Sequence, residues 1–173
     1  MRKLFFLGML FILKLCTPVP LVAQGLDNLL LSSSGKATYL INVDSVLAEV
    51  DDSGKLLQIT TRASGTIVYR ADRKIEKIGG LTMTYNYQDK LSMIGDKKII
   101  YDYAGRLDRI GELGLKYNYS GLMIQIGGHK MMYNANSQLD GFDNYRVRYN
   151  YNKQIQSVDN SNGLIILQLI GDK

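Results

Sequence analysis

The sequence contains few of the residue types on which most metal proteins and many enzymes depend. Its 173 residues include one cysteine, one histidine, two prolines and no tryptophan. One histidine cannot form a histidine-based metal site, and without cysteine ligands a zinc site is not expected. No serine lies in a nucleophile-elbow motif. We therefore predict no metal, no cofactor and no enzymatic activity.

Residues 1–23 have the pattern of a secretory signal peptide. A basic pair precedes an apolar stretch, 4–13, and Ala23 supplies the small residue before the cleavage site. The two prolines lie between them and shorten the apolar run below the roughly 20 residues that a membrane span needs. We predict an exported protein of the periplasm, the cell surface or the extracellular space, with no transmembrane span after processing. The alternatives are an uncleaved anchor and a lipoprotein attached through Cys16.

The charge of the predicted mature chain is close to balanced. Removing Arg2, Lys3 and Lys14 from the 21 basic residues leaves 18 against 16 acidic residues, a net charge of +2. No run of lysine or arginine is present, so nucleic acid is not a predicted partner. The only cysteine leaves with the signal peptide. Stability must therefore come from packing and not from disulfides.

A sixteen-residue unit is repeated six times between Gly65 and Asn160, most clearly as KKIIYDYAGRLDRIGE at Lys97–Glu112. The units begin at Gly65, Leu81, Lys97, Leu113, His129 and Tyr145. Position three is aliphatic or methionine, position five is always tyrosine, and position seven is tyrosine in four units. This alternation predicts a β-strand over positions three to seven. Positions eight to ten have turn compositions, and apolar positions eleven and fourteen mark a second strand.

The three-residue spacing between positions eleven and fourteen does not fit strict alternation. Either the second strand carries a bulge near positions twelve and thirteen, or the chain turns a corner there. The first alternative predicts an all-β fold of tandem β-hairpins, in an antiparallel meander that forms a curved sheet or open barrel. The second predicts a β-solenoid. The short, glycine-rich connections favour the meander.

The predicted mature chain, 24–173, is long enough for one β-repeat domain. Residues 35–64 hold a degenerate copy of the pattern and are expected to cap the six repeats of 65–160. The lead-in, residues 24–34, is expected to form a helical turn or to cover a sheet edge. Residues 161–173 contain the apolar run LIILQLI. This closing strand is expected to be buried on both sides or to pair with the N-terminal region.

The segment Tyr101–Leu107, YDYAGRL, resembles the core of the YD repeats of Rhs-type proteins, and Tyr117–Met123 is a looser copy. The resemblance implies strand–turn–strand units in a long twisted sheet, which in that family encloses a toxin or binds surfaces. The unit here is shorter, and only two of the six have glycine at position nine. We therefore transfer the local geometry alone. The chain also resembles small exported proteins of Bacteroidetes-type bacteria.

The tyrosines are the only group of residues that suggests a function. Ten tyrosines occupy positions five and seven on one predicted face, where flat rings with hydroxyl groups suit sugars, peptides or a partner sheet. The alternative is that these rings fill the core, since Phe142 is the only phenylalanine after the signal peptide. The candidate ligand-binding residues are Tyr85, Tyr87, Tyr101, Tyr103, Tyr117 and Tyr119.

We predict a non-catalytic exported repeat protein that acts as a binding or structural module. An envelope protein or a glycan is the expected partner. One alternative is a glycan- or cell-wall-binding module that uses the tyrosine row. Another is a hydrolase with two carboxylates from different units about 5–10 Å apart. His129 is expected to be an exposed loop residue, and the scattered carboxylates are expected to be solvated turn charges.

Overall fold

The computed structural model describes residues 25–43, 45–161 and 163–168, so the predicted signal peptide lies outside the described residues. In this part of the chain there are strands and turns and no helix, and hence none long and apolar enough to cross a membrane. The strands are β1 (Gly25–Ser32), β2 (Ala37–Val43), β3 (Val46–Asp51), β4 (Leu56–Thr61), β5 (Ile67–Tyr69), β6 (Ile75–Ile78), β7 (Leu81–Tyr85), β8 (Leu91–Ile94), β9 (Lys97–Tyr101), β10 (Leu107–Ile110), β11 (Leu113–Tyr117), β12 (Met123–Ile126), β13 (His129–Tyr133), β14 (Leu139–Phe142), β15 (Tyr145–Tyr149), β16 (Ile155–Val158) and β17 (Ile165–Gln168).

The six repeat units form one antiparallel sheet of 12 strands, β5 to β16, in chain order. Each unit supplies one hairpin, whose strands end at position five and begin again at position eleven. Every neighbouring pair in this sheet is antiparallel, and the sheet does not close into a barrel. The predicted all-β meander is therefore confirmed, and the solenoid alternative is wrong.

A β-bulge at position twelve explains the irregular spacing of the second strand. In unit three, Tyr101 faces Leu107 and Ile100 faces Arg109, which leaves Asp108 as the extra residue. The same register shift occurs in the other five units. Because two residues of the bulged strand oppose one on its partner, positions eleven and fourteen both reach the core, and Leu107 and Ile110 are fully buried. The predicted bulge is confirmed.

The turn inside each unit starts earlier than the sequence pattern suggested. In unit three the Asp102 carboxylate accepts the Arg106 N–H at 2.9 Å, and the Gly105 N–H donates to the Asp102 carbonyl at 2.9 Å. Asparagine at position six does the same in units two, four, five and six. Such side-chain-to-backbone bonds close a turn over positions six to ten. Position seven therefore lies in the turn. The prediction that the strand extends to position seven is wrong.

This turn requires a left-handed residue at position nine, where four units lack glycine. Arg73, Asp89, Ser137 and Lys153 adopt φ values between 60° and 67°. A side chain is disfavoured in this conformation, so Lys153→Gly is expected to raise the free energy of unfolding by about 0.5–1 kcal/mol, the strain relieved less the extra chain entropy of glycine. Asn152→Gly, at a neighbouring position without positive φ, should lower it. Urea unfolding measures both, and a destabilised Lys153→Gly variant would contradict this explanation.

A second sheet of five strands has the order β17-β1-β2-β3-β4. The lead-in forms the strand β1 and not a helical turn. β17 lies parallel to β1, with Leu29 opposite Ile165, so the closing segment pairs with the N-terminal region. It is not buried on both sides, because Ile166 and Leu167 are 43% and 44% exposed. Residues 169–173 lie outside the described part of the chain.

Two hairpins of the five-stranded sheet use the turn of the repeat on longer strands. Between β3 and β4, Asp51 Oδ1 accepts the N–H groups of Ser53 and Lys55 at 3.0 and 2.8 Å. Gly54 takes the left-handed position with φ of 81°. Between β1 and β2, Gly35 takes this position, with φ of 82°. The segment predicted as a degenerate copy thus shares the turn chemistry of the repeats.

The two sheets pack face to face and share one core. Fully buried side chains come from both sheets, among them Leu29, Tyr39, Ile41, Leu107, Met123, Leu139 and Phe142. Two turns of the smaller sheet, β1–β2 and β3–β4, also accept hydrogen bonds from the backbone N–H at position eleven. The pairs are Leu107 to Gly54 (2.8 Å), Met123 to Asp52 (2.8 Å), Leu139 to Gly35 (3.0 Å) and Ile155 to Ser33 (3.4 Å). Units three to six are covered in this way, and units one and two lie beyond the last turn.

Candidate functional site

The position-five tyrosines face the interior, and their hydroxyl groups connect neighbouring units. Three of them donate to the carbonyl oxygen at position eleven of the preceding unit: Tyr85 to Ile75 (2.8 Å), Tyr117 to Leu107, and Tyr149 to Leu139 (2.5 Å). Tyr133 shares a hydrogen bond of 2.7 Å with Tyr39 of the opposite sheet. These hydroxyl groups satisfy buried carbonyls or each other, so this set of tyrosines has a structural role.

Cations at position ten cover the rings of three position-five tyrosines. Lys74 lies 5.2 Å from the Tyr85 ring centroid, Lys90 lies 5.0 Å from that of Tyr101, and Arg106 lies 4.3 Å from that of Tyr117. Lys74 and Lys90 also donate to the position-nine carbonyl of the next unit, at 3.3 and 3.1 Å. These cation–π contacts occupy rings that the sequence had suggested for a ligand. Tyr85, Tyr101 and Tyr117 are therefore half-buried and engaged within the protein.

Burial makes several interior tyrosines harder to ionise. It raises the pKa of Tyr39, Tyr117 and Tyr133 well above the usual value for tyrosine, and it raises the pKa of Tyr149 to about 12. At Tyr117 the neighbouring Arg106 cation opposes the increase in pKa. The neutral hydroxyl is thus the form that the folded protein stabilises.

These raised pKa values predict that the protein loses stability at alkaline pH. Tyrosine ionises near pH 10 in an unfolded chain, whereas Tyr149 keeps its proton in the folded protein up to about pH 12. Between these values the unfolded state binds fewer protons. Each such tyrosine then lowers the free energy of unfolding by up to about 1.4 kcal/mol per pH unit. Urea unfolding from pH 8 to 11.5 should show full stability below pH 10 and a decline above it. The decline should be shallower for Tyr149→Phe, and an unchanged slope would contradict this linkage.

The position-seven tyrosines project into solvent from the turns at one edge of the sheet. Their side chains are almost fully exposed, at 93% for Tyr87, 112% for Tyr103, 112% for Tyr119 and 94% for Tyr151. Equivalent turns are two strands apart, which separates neighbouring tyrosines by about 9–10 Å. The prediction that positions five and seven share one face is wrong, because the turn that begins at position six rotates position seven away from the core. We call Tyr87, Tyr103, Tyr119 and Tyr151 the turn tyrosines.

A polar depression interrupts the turn tyrosines in unit five, where Ala135 replaces tyrosine. It has a volume of about 420 Å³ and lies between the turns of units five and six and the β1–β2 turn. Its lining includes Asn136, Asn152 and Gln138. The Gln138 amide donates to the Ser34 and Lys153 carbonyls at 2.8 and 2.7 Å. The amides of Asn136 and Asn152 thus line a depression in the same row of turns that carries the exposed rings.

His129 is placed differently from the sequence expectation of an exposed loop residue. It lies on β13, half-buried, with its Nδ1 atom 2.8 Å from Asp143 Oδ2 and its ring stacked on Phe142 at 5.4 Å. Asp143 Oδ1 also accepts the Lys130 N–H at 2.8 Å. The two residues are positions one and fifteen of one unit, which the β13–β14 hairpin brings together. No serine or cysteine lines the open depression beside them. Within the described ranges no group of three or more His, Cys, Asp or Glu residues is arranged to bind a metal.

Neither a protein-family model nor a curated protein matches the sequence. The similarity of Tyr101–Leu107 to YD repeats therefore stays a prediction. On the surface of the described residues, the turn tyrosines form a regular row of exposed aromatic side chains.

Proposed function

We propose that the protein is a non-catalytic exported binding module of the periplasm or cell surface, and that it binds a glycan through the turn tyrosines. One observation carries this proposal. Four large aromatic side chains repeat along one edge of the sheet, almost fully exposed. Exposed large apolar side chains in a regular array are typical of interaction sites.

The fold itself does not need these four rings. Two units have alanine at the same position of the same turn, Ala71 and Ala135, and both units form the same hairpin. The interior is filled by the position-five tyrosines and the aliphatic positions. Tyrosine at position seven is therefore available for a role outside the fold.

The chemistry around the rings favours a glycan. A sugar presents an apolar C–H face, which packs on a flat ring, and hydroxyl groups, which need donors and acceptors. Polar side chains follow three of the rings at position eight, namely Gln88, Ser120 and Asn152. Asn136 and Asn152 also line the polar depression in unit five. Rings and amides together provide both kinds of contact along one edge.

Loss of two turn tyrosines tests the proposal. The Tyr103→Ala, Tyr119→Ala double variant is expected to bind peptidoglycan fragments or the best ligand of a glycan array at least tenfold more weakly. Its free energy of unfolding should change by less than about 0.5 kcal/mol, because surface substitutions of this kind are nearly neutral. Co-sedimentation with cell-wall material and calorimetry measure binding, and urea unfolding measures stability.

Two further variants make this experiment specific. Ala135→Tyr fills the gap between Tyr119 and Tyr151 and should strengthen glycan binding. Lys116→Ala, on β11 and facing away from the core, should leave glycan binding unchanged. Failure of the wild-type protein to bind any glycan, or equal binding by the double variant, would contradict the proposal.

A further inference from the structure

The backbone amides at position eleven form a row that the five-stranded sheet covers only in part. Turns of that sheet reach units three to six. The carbonyls of Gly54 and Asp52 accept from units three and four, and those of Gly35 and Ser33 accept from units five and six. The order of strands in the sheet, β1-β2-β3-β4, follows the units from six down to three. Each hairpin turn therefore covers two repeat units.

Units one and two have the same amides but no turn above them. The N–H groups of Ile75 and Leu91 occupy position eleven, and no turn of the five-stranded sheet, as far as the structure describes it, accepts from either. A further strand that covered unit two in the same way would lie next to β4. Among the described strands, β4 pairs with β3 alone, so its other edge is free at this place.

The inner face of unit one is also partly uncovered, whereas positions three and fourteen of unit two are buried. Ile67 is 47% exposed and Tyr69 is 58% exposed, whereas the same positions in unit three, Ile99 and Tyr101, belong to or pack against the shared core. Ile75 and Tyr85 are half-buried. An apolar face, a free strand edge and two amides thus coincide at one end of the molecule, directly continuous with an established sheet-to-sheet interface.

We propose that this end of the molecule binds an acidic β-hairpin of a partner protein. The hairpin adds two strands to the free edge of β4, as in other cases of strand addition. Its turn carbonyls accept hydrogen bonds from Leu91 and Ile75, and its apolar side chains cover Ile67 and Tyr69. Over units one and two, the partner hairpin occupies the position that the β3–β4 hairpin occupies over units three and four.

The charge of the rim favours an acidic hairpin over a second copy of this face. The turns of units one and two carry Arg70, Arg73, Lys74 and Lys90 against Asp72 and Asp89. Asp72 contacts Arg70 and Lys74 at 3.5 and 3.7 Å, and Asp89 contacts Lys74 at 3.0 Å, so four cations and two paired carboxylates leave the rim with a net charge of +2. Two copies that met through this face would bring two basic rims together. The β3–β4 hairpin has the opposite balance, with three acidic residues and one lysine within 46–61.

This hairpin is therefore the natural probe for the site. A cyclised peptide of residues 46–61 is titrated into the isotope-labelled full chain and followed by NMR. Saturable shift changes are expected at units one and two and at β4, and the Ile75 and Leu91 amides should become at least tenfold more protected from hydrogen exchange. A peptide with Asp51→Lys and Asp52→Lys is expected to bind at least tenfold more weakly.

Two substitutions on adjacent residues of β5 supply the matched control. Tyr69→Asp places a charge on the inner face and is expected to weaken peptide binding at least tenfold. Val68→Asp places the same charge on the opposite face and should change it less than twofold. If Tyr69→Asp fails to fold, Ile67→Asp serves as the inner-face variant.

Several results would overturn the proposal. They are the absence of shift changes at millimolar peptide, shift changes centred on the turn tyrosines or the outer sheet face, and equal binding by the two β5 variants. A wild-type dimer in sedimentation experiments that Tyr69→Asp converts to a monomer would show that a second copy is the occupant. The glycan experiments change Tyr103 and Tyr119 in the turns of units three and four, outside units one and two, so either proposal can fail alone.

Discussion

Gly54→Ala is expected to lower the free energy of unfolding by about 3 kcal/mol. Gly54 has φ of 81°, a conformation that costs a residue with a side chain roughly 1–2 kcal/mol. An added Cβ atom would also lie 2.6 Å from Tyr117 Cε1 and Cζ, and it would meet the Tyr117 hydroxyl oxygen as well. This overpacking costs about a further 1–3 kcal/mol, because the Tyr117 ring is held by Arg106 and by the Leu107 carbonyl.

Gly163→Ala provides the matched control for backbone strain without the clash. Gly163 has φ of 70°, and no atom lies within 4 Å of an added Cβ. We expect a loss of only about 1 kcal/mol. Urea unfolding monitored by circular dichroism measures both variants. Similar losses for the two glycines would contradict the idea that close contact between Gly54 and Tyr117 joins the sheets.

Leu107→Ala is expected to lower the free energy of unfolding by about 2–5 kcal/mol, the usual range for a fully buried leucine. Leu107 is 0% exposed and lies under the β3–β4 turn, to which its N–H donates at 2.8 Å. Removing its side chain leaves a cavity between two sheets. Their backbones are joined at this point, so the cavity cannot readily collapse.

Leu91→Ala removes the same atoms at the same repeat position, one unit earlier. Leu91 is half-buried because no turn of the five-stranded sheet covers it, and we expect about half the loss of Leu107→Ala. Chemical unfolding of the two variants under identical conditions gives the comparison. Equal losses would mean that the cover supplied by the smaller sheet does not set the stability of a unit.

The features that the sequence predicted correctly are those that recur every sixteen residues. Tyrosine at position five and aliphatic residues at three, eleven and fourteen define the strands, and their spacing indicates the bulge at position twelve. These signals are local, because each hairpin closes within its own unit. The turn could also have been predicted from the sequence. Aspartate or asparagine at position six, with glycine at position nine in Asp102–Gly105, is the pattern of a turn stabilised by a side chain.

The features that the sequence did not predict depend on contacts between distant segments. Pairing of the closing strand with the N-terminal region was one of two alternatives from the sequence, but its parallel register with β1 was not predicted. Nothing in Gly54 or Gly35 shows that their carbonyls accept hydrogen bonds from the repeats. The division of the tyrosines into two sets follows from the turn that starts at position six. Once that turn is recognised, Tyr101 faces the core and Tyr103 faces solvent. The same step explains why three of the six candidate ligand-binding tyrosines are half-buried and three are exposed.

The parallel pairing of β1 with β17 has a mechanical consequence. The two strands run in the same direction, with Leu29 to Ser32 opposite Ile165 to Gln168. A force that pulls Gly25 and Gln168 apart acts along both strands in opposite directions. It therefore shears the hydrogen bonds between them, which must break together, whereas a force across the strands would open them one at a time. A chain tethered at one end and loaded at the other would meet its greatest resistance at this pair, before any repeat is unravelled.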